Sequence, residues 1–190
     1  MDAIVDPEYY DAYMRFFAGV LAEDYAVFAK SDYDVVGTQG NMANGALMQE
    51  NHFRQYILPY EKRAADVLTK ANKPMLYHNC GCAANLLACY KDMGITIYET
   101  LAAVPQGDTI LAEAKQVFSD TDIVLCGTFD QVTFLKTATE QEIFAKAAHT
   151  MATGKPDGKY IFAASDYIEQ NTPIENFKAM IAGAKSTAKY

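Results

Sequence analysis

The chain has no apolar run approaching the length of a membrane span, and its first residues, Met1 to Glu8, hold neither a basic region nor a hydrophobic signal core. A transmembrane anchor and a secretory leader are therefore not expected, and the cytoplasm is the expected compartment. Cations are scarce. Lys and Arg number 16 against 24 Asp and Glu, for a formal net charge of −8 and a pI near 4.8. That imbalance argues against nucleic acid and anionic membranes as partners, and solubility is its simplest reading. Cysteine is scarce too. Without a signal peptide, Cys80, Cys82, Cys89 and Cys126 suit reduced thiols or metal ligands better than a disulfide framework. Neither a Gly-x-Gly-x-x-Gly fingerprint nor a Walker pattern occurs, so nothing supports a nucleotide site. Repeats and low-complexity tracts are also missing.

What is present is a chain that is 51% hydrophobic over 190 residues, enough to bury a sizeable core, and residues 1–190 read as a single domain. Asp6-Pro7-Glu8 marks a helix entrance, with Asp6 as cap and Pro7 at the first helical position. The stretch 50–71 has helical periodicity broken by Pro59, which predicts two helices or one kinked helix. Further helices are expected over 83–93, closed by Gly94, over 108–118, from the capping-box pattern Thr139-x-x-Glu142 onward, and over 173–184. Between them lie strand candidates at 34–37, 74–78, 95–98, 123–126 and 160–164. Strands alternating with long helices imply parallel pairing through crossovers, hence an α/β protein, either an open doubly wound sheet or an incomplete barrel.

The segment Leu76-Tyr77-His78-Asn79-Cys80-Gly81-Cys82 carries the most chemistry. Side chains alternate along a strand, so His78 and Cys80 face the same way at its end. An imidazole and a thiolate side by side are two good zinc ligands, although a hydrogen-bonded histidine and a buried cysteine are ordinary core residues as well. Polar or ligand-type residues recur near the other strand ends: 38–41, Glu99, Cys126, Ser165 and Asp166. In parallel α/β folds functional groups gather at the carboxyl ends of strands. The glycine-rich stretch 37–45 lets backbone approach a ligand, with Gln39, Asn41 and Asn44 able to hydrogen-bond one. His52, His149 and Cys89 read as structural, and Cys82 as a helix-start residue.

Pro59-Tyr60, Lys73-Pro74-x-x-x-His78-x-Cys80-Gly81, Gly127-x-x-Asp130 and Thr172-Pro173-x-Glu175-Asn176, in this order, resemble the carboxyl-terminal part of the uroporphyrinogen decarboxylase superfamily. The His-x-Cys-Gly variant is similar to its corrinoid-dependent methyltransferase branch. The resemblance implies a (β/α)8 barrel of the TIM type with zinc at the carboxyl ends of its strands, of which this chain would supply about five of the eight strands. Such an arc leaves unpaired edges and an uncovered inner face, so a second copy or a complementary polypeptide supplying the missing strands is an expected partner.

The resemblance also implies site roles. His78 and Cys80 match the first two zinc ligands, and Glu99 stands where an acidic residue lies at or near the metal. The family's third ligand is a cysteine seven residues before the proline of the Thr-Pro motif, a place held here by Asp166. A carboxylate makes the metal harder and less selective for zinc. Cys126 could supply the missing sulfur. The loop containing Gln39 and Asn41 corresponds to one that faces the active-site mouth. The implied reaction is methyl transfer from a methylated corrinoid (cobalamin-type) protein to a small acceptor, either a thiol such as coenzyme M or a nitrogen of tetrahydrofolate, with Glu99 and Asp166 as catalytic residues. Two alternatives stand beside it: a metal-free lyase like the decarboxylases, with His78 and Asp166 as acid and base, and a non-catalytic assembly subunit with a degenerate site.

Overall fold

The computed structural model describes residues 2–40 and 42–189. Asn41, an expected substrate contact, lies outside the described residues. A short helix α1 (Asp2–Val5) leads into α2 (Pro7–Phe28), followed by β1 (Val36–Gln39), α3 (Glu50–Tyr56), α4 (Leu58–Lys70) and β2 (Met75–His78). A 3-10 turn at Ala84–Leu86 runs into α5 (Leu87–Lys91), then come β3 (Ile97–Leu101), α6 (Leu111–Val117), β4 (Val124–Phe129), α7 (Phe134–Thr137), α8 (Glu140–Gly154), β5 (Tyr160–Ala164) and α9 (Ile174–Thr187).

Local chemistry explains several boundaries. The Asp6 carboxylate accepts from the Tyr9 N–H at 3.0 Å, and Pro7 occupies the first turn of α2. Thr139 and Glu142 form a reciprocal capping box at the start of α8. Near Pro59 the chain breaks at Ile57, giving two helices in place of one. Some strands sit later than the sequence pattern predicts. β1 begins at Val36, β3 at Ile97, and β4 continues through Phe129, so Cys126 lies inside its strand and not at the end. The helix expected over 83–93 is mostly 3-10 turn plus the five residues of α5.

All strand pairs are parallel and run in sequence order, β1-β2-β3-β4-β5, with β1 and β5 as the edges. This is an arc of consecutive βα units of the TIM-barrel type, unclosed. Register puts Tyr77, Tyr98, Leu125 and Tyr160 in one row across the sheet, and all four are buried under the helices. The opposite face carries the row Gly37, Leu76, Ile97 and Val124, none of them fully buried, and beyond it Gln39, His78 and Glu99. On β5 the same face exposes Ile161 at 46%. Further apolar surface lies on α2, where the exposed rings of Tyr9, Tyr13 and Phe17 stack in sequence along the helix with Phe16 alongside. No helix among the described residues is long and apolar enough to cross a membrane.

Candidate metal centre

The carboxyl end of β2 turns into the site through Asn79, which is fully buried. Its amide donates to Ala43 O at 3.2 Å and to the Tyr90 hydroxyl at 2.7 Å, while its own carbonyl accepts from the Tyr98 hydroxyl at 3.2 Å. With Asn79 pinned into the core, its neighbours His78 and Cys80 are directed to the open face. Gly81 then adopts φ of +84°, a conformation that costs glycine little, and reverses the chain. The following turn is held by Asp108, whose carboxylate accepts from the Ala83 and Ala84 N–H groups at 2.7 and 3.0 Å. Nothing in the sequence pattern singled out Asn79 or Asp108, because their partners lie in other units of the fold.

Glu99 is level with His78 across the β2–β3 ladder, and its carboxylate accepts a hydrogen bond from His78 Nδ1 at 2.5 Å. That contact fixes the imidazole and leaves Nε2 for a ligand, as carboxylates behind metal-bound histidines do. Gln39 is level with His78 on the other side, exposed at the end of β1.

Asp166 arrives from the far edge of the sheet. Ser165 is buried and ties the end of β5 to its neighbours, its N–H donating to Phe129 O at 3.0 Å and its hydroxyl to Leu101 O and Phe129 O at 3.3 Å. One residue on, Asp166 joins His78 and Cys80: a ligand atom from each of the three lies within 4.8 Å of the others. In a flat sheet β2 and β5, three strand spacings apart, would stand roughly 14 Å from each other. The convergence therefore requires a strongly curved sheet, as in an arc of a barrel. Irregularities at the strand ends assist the bend. The β3–β4 register shifts between Tyr98 and Leu101, and Thr100, Gly127 and Thr128 all have positive φ. At Gly127 a Cβ would fall 2.9 Å from Leu101 backbone atoms, so only glycine fits.

Burial, and after it the nearby Asp166 carboxylate, pushes the Cys80 thiol up; the two side chains also share a hydrogen bond. A divalent cation reverses that preference, because it deprotonates a coordinating thiol outright. The donor set of one imidazole nitrogen, one thiolate and one carboxylate oxygen fits zinc, with the oxygen widening tolerance for other divalent ions. Ligand atoms on a tetrahedral zinc stand ~3.5 Å apart, so a separation of up to 4.8 Å calls for side-chain adjustments of about an ångström.

Other expected ligands stand outside this trio. Glu99 faces His78 from behind. Cys126, inside β4, is buried, and its thiol is pushed up to about 11, first by burial and then by the Glu99 carboxylate. The two share the open face of the sheet but neither belongs to the group of three. Cys82 also lies outside it, its carbonyl accepting from Gly45 N–H at 2.6 Å. Cys89 is fully buried in α5, as a packing residue is, and His52 is exposed on α3.

Among solved structures the fold is similar to that of a methyltransferase from Methanosarcina mazei, with a TM-score of 0.70 and 22% sequence identity. The match covers 87% of this chain and 47% of the methyltransferase, so the chain spans about half the length of that protein. Among curated proteins nothing matches it. Residues 1–187 match the family model of uroporphyrinogen decarboxylase (URO-D), and the chain belongs to that family.

Proposed function

We propose that this chain contributes a metal site to a methyl transfer from a methylated corrinoid carried on a partner protein to a small nucleophile. One observation carries the reading: His78, Cys80 and Asp166, drawn from the β2 and β5 units three strands apart, bring three different metal-ligating groups together. The URO-D family membership and the methyltransferase of similar fold favour this chemistry over other uses of such a trio.

His78, Cys80 and Asp166 would hold a divalent cation, zinc by preference, which when bound lowers the pKa of a thiol acceptor. Glu99 keeps the imidazole oriented. Gln39, level with His78 and exposed, would bind the acceptor at the mouth. In the transfer the acceptor's lone pair forms the new bond to the methyl carbon, and the cobalt–carbon bond breaks with its electron pair left on cobalt. The uncovered inner face and the two free edges would be closed by a second copy or by a polypeptide supplying further parallel strands.

The test incubates the protein with zinc, methylcobalamin and either a thiol or tetrahydrofolate, and follows the cobalt–carbon absorption. Zinc-dependent demethylation that Cys80→Ala abolishes is the expected result. Equilibrium dialysis checks the site separately: Asp166→Cys should tighten zinc binding if Asp166 holds a ligand place, and equal affinity in wild type and Cys80→Ala would end the metal reading.

A further inference from the structure

A cavity of about 420 Å³ opens between the loop that follows β3 and the flank of α8. It has two unlike walls. Val104, Ile110 and Leu111 form an apolar one, and on α8 Lys146 and His149, one turn apart and so on the same helix face, form a polar one in which Lys146 carries a positive charge. Both α8 side chains are exposed and have no ion pair or hydrogen bond to any described residue. Thr109, also in the wall, is buried with a hydroxyl that lacks a partner among the described residues, a costly condition for a polar group. Clefts of a few hundred cubic ångströms, mostly apolar with a few polar groups at one end, are the usual form of small-molecule sites.

We infer that this cavity binds an amphiphilic organic monoanion, a carboxylate whose head sits between Lys146 and His149 and whose short hydrocarbon tail lies along Val104, Ile110 and Leu111. The site is separate from the trio. None of its lining residues belongs to the trio or to the edge strands β1 and β5. Its volume suits a tail of roughly six to eight carbons.

The probe is octanoate, titrated into the full chain by calorimetry, with 1-octanol (tail without charge) and inorganic phosphate (charge without tail) as controls. Saturable octanoate binding is expected, with both controls weaker by at least tenfold. The double variant Lys146→Gln/His149→Gln, at exposed positions and with its fold checked by circular dichroism, should lose at least tenfold in octanoate affinity while keeping zinc binding unchanged. Octanol binding as tightly as octanoate would reduce the cavity to a greasy groove. Phosphate binding as tightly would remove any role for the apolar wall. Unchanged octanoate affinity in the double variant, or no saturable binding at all, would overturn the site.

Discussion

The two faces of the sheet differ in what they meet. One presents Tyr77, Tyr98, Leu125 and Tyr160 to the helices and is sealed, with Tyr90 and Phe53 packed ring against ring behind it. The other presents Leu76, Ile97, Val124 and Ile161 to no helix layer, and the candidate ligands cluster at its carboxyl end. The sealed face accounts for stability, since burial there is complete and packing close. The open face is free of that duty at its strand ends, where side chains can be chosen for chemistry.

The largest effect should separate the faces directly. Leu125→Ala, on the sealed face, is expected to cost about 2 to 5 kcal/mol, and Ile161→Ala, on the open face, less than about 1 kcal/mol, both read from denaturant midpoints of the isolated chain. Equal costs would show that the open face is buried in solution, and their dependence on protein concentration would identify association as the cause.

Metal affinity comes next. Cys80→Ser should weaken zinc binding at least tenfold, whereas Cys89→Ser and Cys126→Ser, buried away from the trio, should leave it within a factor of about two. Glu99→Gln is expected to weaken it by about tenfold through loss of imidazole orientation. A larger loss than Cys80→Ser produces would make Glu99 a direct ligand.

On the sealed side, burial pushes the Glu61 carboxyl of α4 from 4.5 up to about 7. Between those values the folded chain holds this proton more tightly than the unfolded chain, so its contribution to stability falls as pH rises from about 4.5 to 7. Glu61→Gln should flatten that part of the stability–pH profile and raise stability at pH 8 by about 1 to 3 kcal/mol. An unchanged profile would mean that Glu61 is solvated. The smallest effect concerns α8: Thr139→Ala removes the side-chain half of the capping box, leaving the Thr139 N–H on the Glu142 carboxylate, and should cost about 1 kcal/mol in thermal unfolding.

Much of the architecture was legible along the chain because it is encoded locally. Asp6-Pro7, the Thr139 box and the alternation of strand and helix patterns each depend on neighbours a few residues away, and β5 falls at 160–164 as the pattern predicts. Boundaries at the carboxyl ends of β1, β3 and β4 were not legible. There the extension depends on pairing with the adjacent strand and on positive-φ residues such as Thr100 and Thr128 that a propensity reading does not anticipate. The common facing of His78 and Cys80 was suggested by strand alternation, although β2 ends at His78 and the buried Asn79 between them fixes it. Their meeting with Asp166 was not, since Asp166 lies 86 positions beyond Cys80 and nothing local specifies the distance.

By itself, then, the sequence determined the five strands and the longer helices, their parallel order and the residue types available at the strand ends, because hydrophobic period, caps and turns act over a few residues. Only the tertiary structure decided that Asp166 and not Cys126 or Glu99 completes the trio, that Glu99 backs His78, and that one sheet face is left uncovered. Each of these depends on how far the sheet curves, and curvature is a sum of twists, bulges and interstrand packing that no single segment contains.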